Sequence, residues 1–178
     1  TAEEVFSLLD NLLKWTKSQL GKLSNVPQSI DMVGLVNGVI EVFKPIAGSK
    51  SISLKLDSAV ESVHVTVDIE MIKSVVRNLI SNAIKFSHKD TAVVVHVRVQ
   101  EVADENRTEA GNDKEVLVTV SDSGCGIKKE DQEKLLNEAT HFTTFGTDSE
   151  EGSGLGLLLC KDFVSKNHGR LWFTSEEG

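Results

Sequence analysis

The apolar positions of this chain change their period along its length, and each period predicts an element. From Ala2 to Lys22, residues Val5, Leu8, Leu9, Leu12, Leu13, Trp15 and Leu20 recur at helical spacing, with Asp10, Lys14 and Lys17 elsewhere. That is a lone amphipathic helix, closed by Gly21 and by the Ser24-Asn25-Val26-Pro27 stretch. A second helix is predicted from Met32 to about Ala47, ended by Pro45 and Gly48. Two strand-like stretches follow, Ser51 to Leu56 and Val63 to Val67. Asp68 then stands where an N-cap belongs. The helix after it carries an apolar stripe of Ile69, Ile72, Val75, Val76, Leu79 and Ala83.

Alternation with a period of two returns in Ala92 to Val99 and in Val116 to Val120, which predicts a pair of antiparallel strands. The polar, charged segment Glu101 to Lys114 between them reads as a long exposed hairpin connection without chemistry. Lys128 to Ala139 predicts a short charged helix, and Thr140 to Glu151 a mobile loop. A last helix runs through Leu158, Leu159, Phe163 and Val164 to a C-cap glycine at Gly169, with a final strand over Arg170 to Ser175. Strands gathered in one mixed, mostly antiparallel sheet with helices on one face make an α/β (α+β) two-layer sandwich.

Composition narrows the function classes. The net charge of −8 argues against nucleic acid, whose binders need a basic face. No segment reads as long and apolar enough to cross a bilayer. Cys125 and Cys160 offer neither a disulfide framework nor a metal spacing, and the five histidines show no zinc-type pairing.

The chemistry concentrates on the helix after Asp68. Asn78, Asn82 and Lys85 stand at i, i+4 and i+7 and project together from a side other than the apolar stripe. Asn is a poor interior helix former, so packing alone gives little reason for two of them. Two amide oxygens and an ammonium on one ridge suit a hard cation with its polyphosphate, although a plain solvated face has the same composition. Two glycine-rich segments strengthen the first reading. Asp122-Ser123-Gly124-Cys125-Gly126-Ile127 follows a strand-like run, where an acid and two glycines let the backbone approach a flat ligand. Gly152-Ser153-Gly154-Leu155-Gly156-Leu157 opens a helix, where free N–H groups and the dipole favour an anion.

These motifs, in this order, resemble the catalytic and ATP-binding domain of sensor histidine kinases of two-component systems, within the gyrase, chaperone, kinase and mismatch-repair ATP-binding superfamily. Asn78 to Phe86 resembles the N box, Asp122 to Ile127 the first glycine box, and Gly152 to Leu157 the second. His141-Phe142-Thr143-Thr144-Phe145-Gly146-Thr147 resembles the phenylalanine box of an ATP lid. The match runs from about Ser29 onward.

The resemblance implies a kinase domain that transfers the γ-phosphoryl of Mg²⁺-ATP to a histidine on a dimerisation domain outside this chain. It gives Asn82 the main metal contact, with Asn78 assisting and positioning the γ-phosphate as the catalytic residue. Lys85 would meet phosphate, and Phe86 would lie beside the nucleoside. Asp122 would accept from the adenine amino group, flanked by Gly124, Gly126 and Ile127. Phe142, Thr147, Gly152, Gly154, Leu155 and Gly156 would complete the nucleotide site. It also implies that residues 1–25 are the second helix of a dimerisation hairpin and 26–178 a catalytic domain cut before its last strand.

The expected partners are a second copy through the N-terminal helix and the receiver domain of a response regulator, with no nucleic acid and no membrane contact in this piece. The expected location is cytoplasmic, for a parent that an anchor in the bacterial inner membrane could hold. Hydrolytic branches of the superfamily carry a Glu as general base four residues before the metal Asn; here that position is Asn78, and an amide cannot take a proton. The alternatives are a hydrolytic ATPase of the same superfamily and a nucleotide-binding module without its own catalysis.

Overall fold

A computed structural model describes residues 9, 10, 12–14, 16, 17, 20, 21, 24–102, 114–135 and 156–177. The elements in chain order are β1 (Pro27–Asp31), α1 (Met32–Ser49), β2 (Ser53–Ser58), β3 (His64–Asp68), α2 (Ile69–Phe86), β4 (Ala92–Glu101), β5 (Lys114–Ser121), α3 (Lys129–Leu135) and α4 (Gly156–Lys166). The described residues of the N-terminal segment are helical between 9 and 17, and Lys14 pairs with Asp10 at 2.7 Å.

The strands are mixed and mostly antiparallel, but among the described residues they form two sheets rather than the one expected. β1 pairs antiparallel with β3. β2 pairs parallel with β4, which pairs antiparallel with β5. The sequence reading misses β1, because Pro27-Gln28-Ser29 carries no apolar alternation and only Ile30 is buried. Its register is set by β3, across which Ile30 faces Val65.

Within β4 the alternation is strict. Val93, Val95 and Val97 are wholly buried beneath the helices, and each such valine contributes about 1.5–3 kcal/mol of burial. His96 and Arg98 point the other way and meet Asp57 of β2, His96 through Nδ1 at 2.9 Å. Among the described residues the stretch 170–175 forms no strand ladder, contrary to expectation. It is tied instead through side chains: Arg170 donates to Glu115 of β5 at 2.8 and 2.9 Å, and Ile127 N–H donates to Ser175 Oγ at 2.9 Å.

α1, α2 and α4 pack side by side, with α2 in the middle. α1 begins on Asp31, whose carboxylate accepts from the N–H groups of Val33 and Gly34 and from Val63 N–H at 3.0 Å. These bonds hold its carboxyl below the usual range, Val63 contributing most. α1 runs on through Pro45 to Ser49 instead of ending there. The proline lies in the last turns, and the packing of the fully buried Ala47 continues the helix past it. At 18 residues with a mean hydropathy of 1.2, α1 reaches membrane-crossing length and apolarity, which the sequence reading did not anticipate. Its side chains Val36, Val39 and Ile40 are committed to the core.

The apolar face of α2 is wider than the stripe read from sequence. Val76, Ile80, Ala83 and Ile84 join the large cluster with α1, β2 and β4. Met71 and Val75, with Leu79 beside them, form a second cluster with Leu159, Cys160 and Phe163 of α4. The helix is therefore wedged between two neighbours. That leaves one narrow ridge for polar groups.

Candidate nucleotide site

The ridge forms as the spacing predicts. Asn78, Asn82, Lys85 and Phe86 are half-buried on α2, between its two packed flanks. Asn78 Nδ2 donates to Ser74 O at 3.0 Å, which fixes the amide and leaves Oδ1 turned outward. That oxygen looks at Gly156, the first residue of α4. A Cβ built on Gly156 would lie 3.2 Å from Asn78 Oδ1. The last glycine of the second glycine box and the first Asn of the ridge are thus brought together. Lys85 Nζ stands 5.1 Å from the Phe86 ring centroid, a cation–π contact that gathers both side chains at the end of the helix.

The first glycine box meets the same end of α2 through backbone. Gly124 bridges antiparallel to Ser87, and Cys125 N–H donates to Phe86 O at 3.3 Å. A Cβ at Gly124 would run into the Phe86 carbonyl and would lie 2.8 Å from Asp122 Oδ1, so the position admits only glycine. Asp122 Oδ1 accepts from Gly124 N–H at 2.9 Å. Crowding by the protein raises the Asp122 carboxyl above its ordinary value, and the Gly124 bond offsets this only in part. The side chain keeps access to solvent. Gly126 has φ +67°, and a Cβ there would strike the Glu176 carbonyl. Ile127, next in the box, is held by Ser175 through its N–H, while Gln132 donates to Ile127 O at 2.7 Å and Ser175 O at 3.1 Å.

Five predicted site residues, Phe142, Thr147, Gly152, Gly154 and Leu155, lie outside the described residues. Among the described residues no group of three or more His, Cys, Asp or Glu side chains could hold a metal. The amide ridge is a different donor set. Asn78 commits its nitrogen to Ser74 and presents oxygen, the polarity that a hard cation with oxygen ligands requires. A polar cleft of about 280 Å³ borders the ridge at Asn78 and is lined also by Ser74, Arg77 and Ser81. Asp10 and Lys14 of the N-terminal segment line it as well.

A family model described as histidine kinase-, DNA gyrase B- and HSP90-like ATPase matches residues 67–178. The chain belongs to this family. As a histidine kinase-type ATP-binding domain, it is 31% identical over its whole length to the sensor protein EvgS of Escherichia coli K12, of which it spans 14%. It is 29% identical over 97% of its length to the adaptive-response sensory kinase SasA of a Synechococcus strain, of which it spans 42%. Among solved structures, the histidine kinase AdeS of Acinetobacter baumannii matches 99% of this chain and 74% of its own, with a TM-score of 0.71 at 20% identity. The fold is shared at that distance. The matched region opens at Val67, one residue before the α2 cap, and takes in the amide ridge and both glycine boxes.

Two residues of this ATP-binding domain escape sequence reading. Lys50 is buried, and its Nζ donates to Ile84 O at 3.1 Å and Lys85 O at 2.7 Å. Asn167 reads from sequence only as part of a C-cap. Its Oδ1 accepts from Asp68 N–H at 2.7 Å, and its Nδ2 donates to Phe163 O at 2.8 Å, tying the start of α2 to the end of α4. No local pattern announces either contact.

Proposed function

We propose that this chain holds Mg²⁺-ATP for a protein-histidine kinase, which passes the γ-phosphoryl to a histidine on a dimerisation hairpin. The observation that carries the reading is the convergence on α2. The outward oxygen of Asn78 faces the start of α4, and the first glycine box is seated on the Phe86 carbonyl. The ridge offers the amide oxygens of Asn78 and Asn82 to the cation, Lys85 to phosphate and Phe86 to the nucleoside. Asp122 accepts from the adenine amino group; guanine presents an oxygen at that place, so two acceptors would oppose each other. Bound Mg²⁺ supplies charge neutralisation on the phosphate oxygens.

In the transfer, the bond from the γ-phosphorus to the β,γ-bridging oxygen breaks and one to an imidazole nitrogen forms, leaving ADP. Asn78 cannot act as a base toward water, which favours transfer over hydrolysis. The described histidines do not suit the acceptor role: His64 and His96 lie on strands, His88 follows α2, and His168 ends α4. A segment beyond these residues is the acceptor in this reading.

The same reading assigns residues 1–25 to the second helix of the hairpin and makes the working unit a homodimer. Leu9, Leu12, Leu13 and Leu20 support that assignment, being 42–62% exposed among the described residues of the N-terminal segment. The onward partner is a response-regulator receiver domain, and the site works in the cytoplasm.

Calorimetric titration with ATP and GTP, with and without Mg²⁺, tests the site. ATP should bind more tightly than GTP by about 10- to 150-fold, the worth of a hydrogen bond to a charged acceptor. Asn82→Ala should abolish the Mg²⁺-dependent tightening. Equal affinity for the two nucleotides would reject the role of Asp122, and an undiminished Mg²⁺ effect would reject Asn82 as a ligand.

A further inference from the structure

The last turn of α2 is held by a buried charge that the proposed site does not use. Lys50 follows α1 and is only 8% exposed. Its Nζ reaches the carbonyls of Ile84 and Lys85. These belong to the last four carbonyls of the helix, which have no partner within it. An ammonium there satisfies two acceptors and stands at the negative end of the helix dipole. Burying a lysine is costly unless its donors are used, and here they are directed at the turn that carries Lys85 and Phe86.

The backbone around Lys50 ties the same region together. Lys50 N–H closes α1 on Ala47 O at 3.1 Å, so one residue ends α1 with its backbone and α2 with its side chain. Just beyond it, Ser53 N–H donates to Thr91 O at 2.9 Å and Asp90 N–H to Ser51 O at 3.0 Å. The loop leaving α2 is thereby stitched to the residues after Lys50. The Phe86 carbonyl that seats the Gly124 loop lies one residue beyond Lys85 O.

We infer that Lys50 is a positioning residue for nucleotide binding. It touches no ligand. It fixes the last turn of α2 so that Lys85 and Phe86 face the nucleotide and the Phe86 carbonyl stays under the first glycine box. The inference rests on the ATP-site reading above, and the test separates the two.

ATP is titrated calorimetrically into the unmutated chain, Lys50→Met, Lys50→Arg and Lys50→Gln, alongside amide hydrogen exchange along α2. Lys50→Met should weaken ATP binding about tenfold or more, the worth of a charge-assisted hydrogen bond. Exchange should speed up at residues 84–87 and not in the first turn of the helix. Lys50→Arg, which keeps the charge and the donors, should stay within about threefold of the unmutated chain. A purely structural lysine would lower the melting temperature while the folded protein kept its affinity. Lys50→Met that binds ATP within about twofold overturns the inference. If Lys50→Met does not fold, Lys50→Gln decides, since it keeps a donor without the charge: weakening beyond about threefold supports the role, and unchanged affinity overturns it. An unmutated chain that binds no ATP would instead overturn the site reading itself.

Discussion

At its first turn α2 is held by side chains from distant segments; at its last turn it is held by one lysine and by a backbone with no room for a Cβ. The first turn starts at Asp68, whose Oδ1 accepts from Met71 N–H at 3.0 Å and whose Oδ2 accepts from Val26 N–H at 2.9 Å. Asn167 and, through Lys166 O, Asn25 complete that web. Its polar atoms point at other parts of the fold. At the last turn, the Lys50 bonds and the Gly124 approach engage main-chain carbonyls rather than the side chains of the ridge. One helix thus has an end that anchors and an end that presents. The half-buried Asn78 marks the passage between them.

The comparison breaks most visibly at Gly124. Gly124→Ala places a methyl against the Phe86 carbonyl, a backbone atom that cannot turn aside. ATP affinity should fall about 100-fold or more, close to 3 kcal/mol, when measured by calorimetry. A smaller effect follows at the anchoring end. Asp68→Ala removes an N-cap and orphans Val26 N–H, so urea unfolding should show a loss of about 1–3 kcal/mol. The affinity of the folded fraction for ATP should stay within about twofold. If Asp68→Ala weakened ATP as much as Gly124→Ala does, the division of labour along α2 would be wrong.

The smallest effect is one of pH, and it sharpens the contrast. The Asp122 carboxyl is raised by its crowded setting, so it takes up a proton at a higher pH than an ordinary aspartate. ATP affinity should therefore decline on acidification at a higher pH than an ordinary aspartate would give, and Asp122→Asn should remove that limb of the curve. Stability moves the other way for this group. A raised carboxyl contributes stability that is fully present below its unfolded-state value and is lost as pH rises through the folded value. Asp57 and Glu115 behave oppositely. Asp57 is lowered chiefly by its bond from Arg98, and Glu115 chiefly by that from Gln100. Their contribution is present above the unfolded-state value and is lost only as pH falls through their lowered ones. Binding that weakens while the fold still holds, followed by unfolding at lower pH, would distinguish the two regions in a single titration series.

The presenting end was legible in the sequence because its message is local. Asn78, Asn82 and Lys85 need only the helical period to share a ridge, and Asp122 to Ile127 need only their own turn. The anchoring end was not legible. Asp68 and Asn167 are 99 residues apart, and Lys50 meets Ile84 across 34. Such contacts are decided by packing, and no periodicity encodes them. The missed strand β1 has the same cause, since its pairing is supplied by β3. The overestimated final strand shows the converse. Leu171-Trp172-Phe173 has strand-like residues, yet Arg170 and Ser175 are held by side-chain bonds, and Trp172 is left 55% exposed under the Arg170 guanidinium.

The parallel pairing of β2 with β4 bears on how this chain folds. Parallel neighbours cannot be joined by a tight turn, and the intervening crossover here contains β3 and the whole of α2. Closing the three-stranded ladder therefore carries the entropy of a loop of more than thirty residues that includes α2. A mutation that loosens α2 should slow refolding as well as weaken the site. The helix that carries the proposed ligand groups is also the piece that links the two parallel strands.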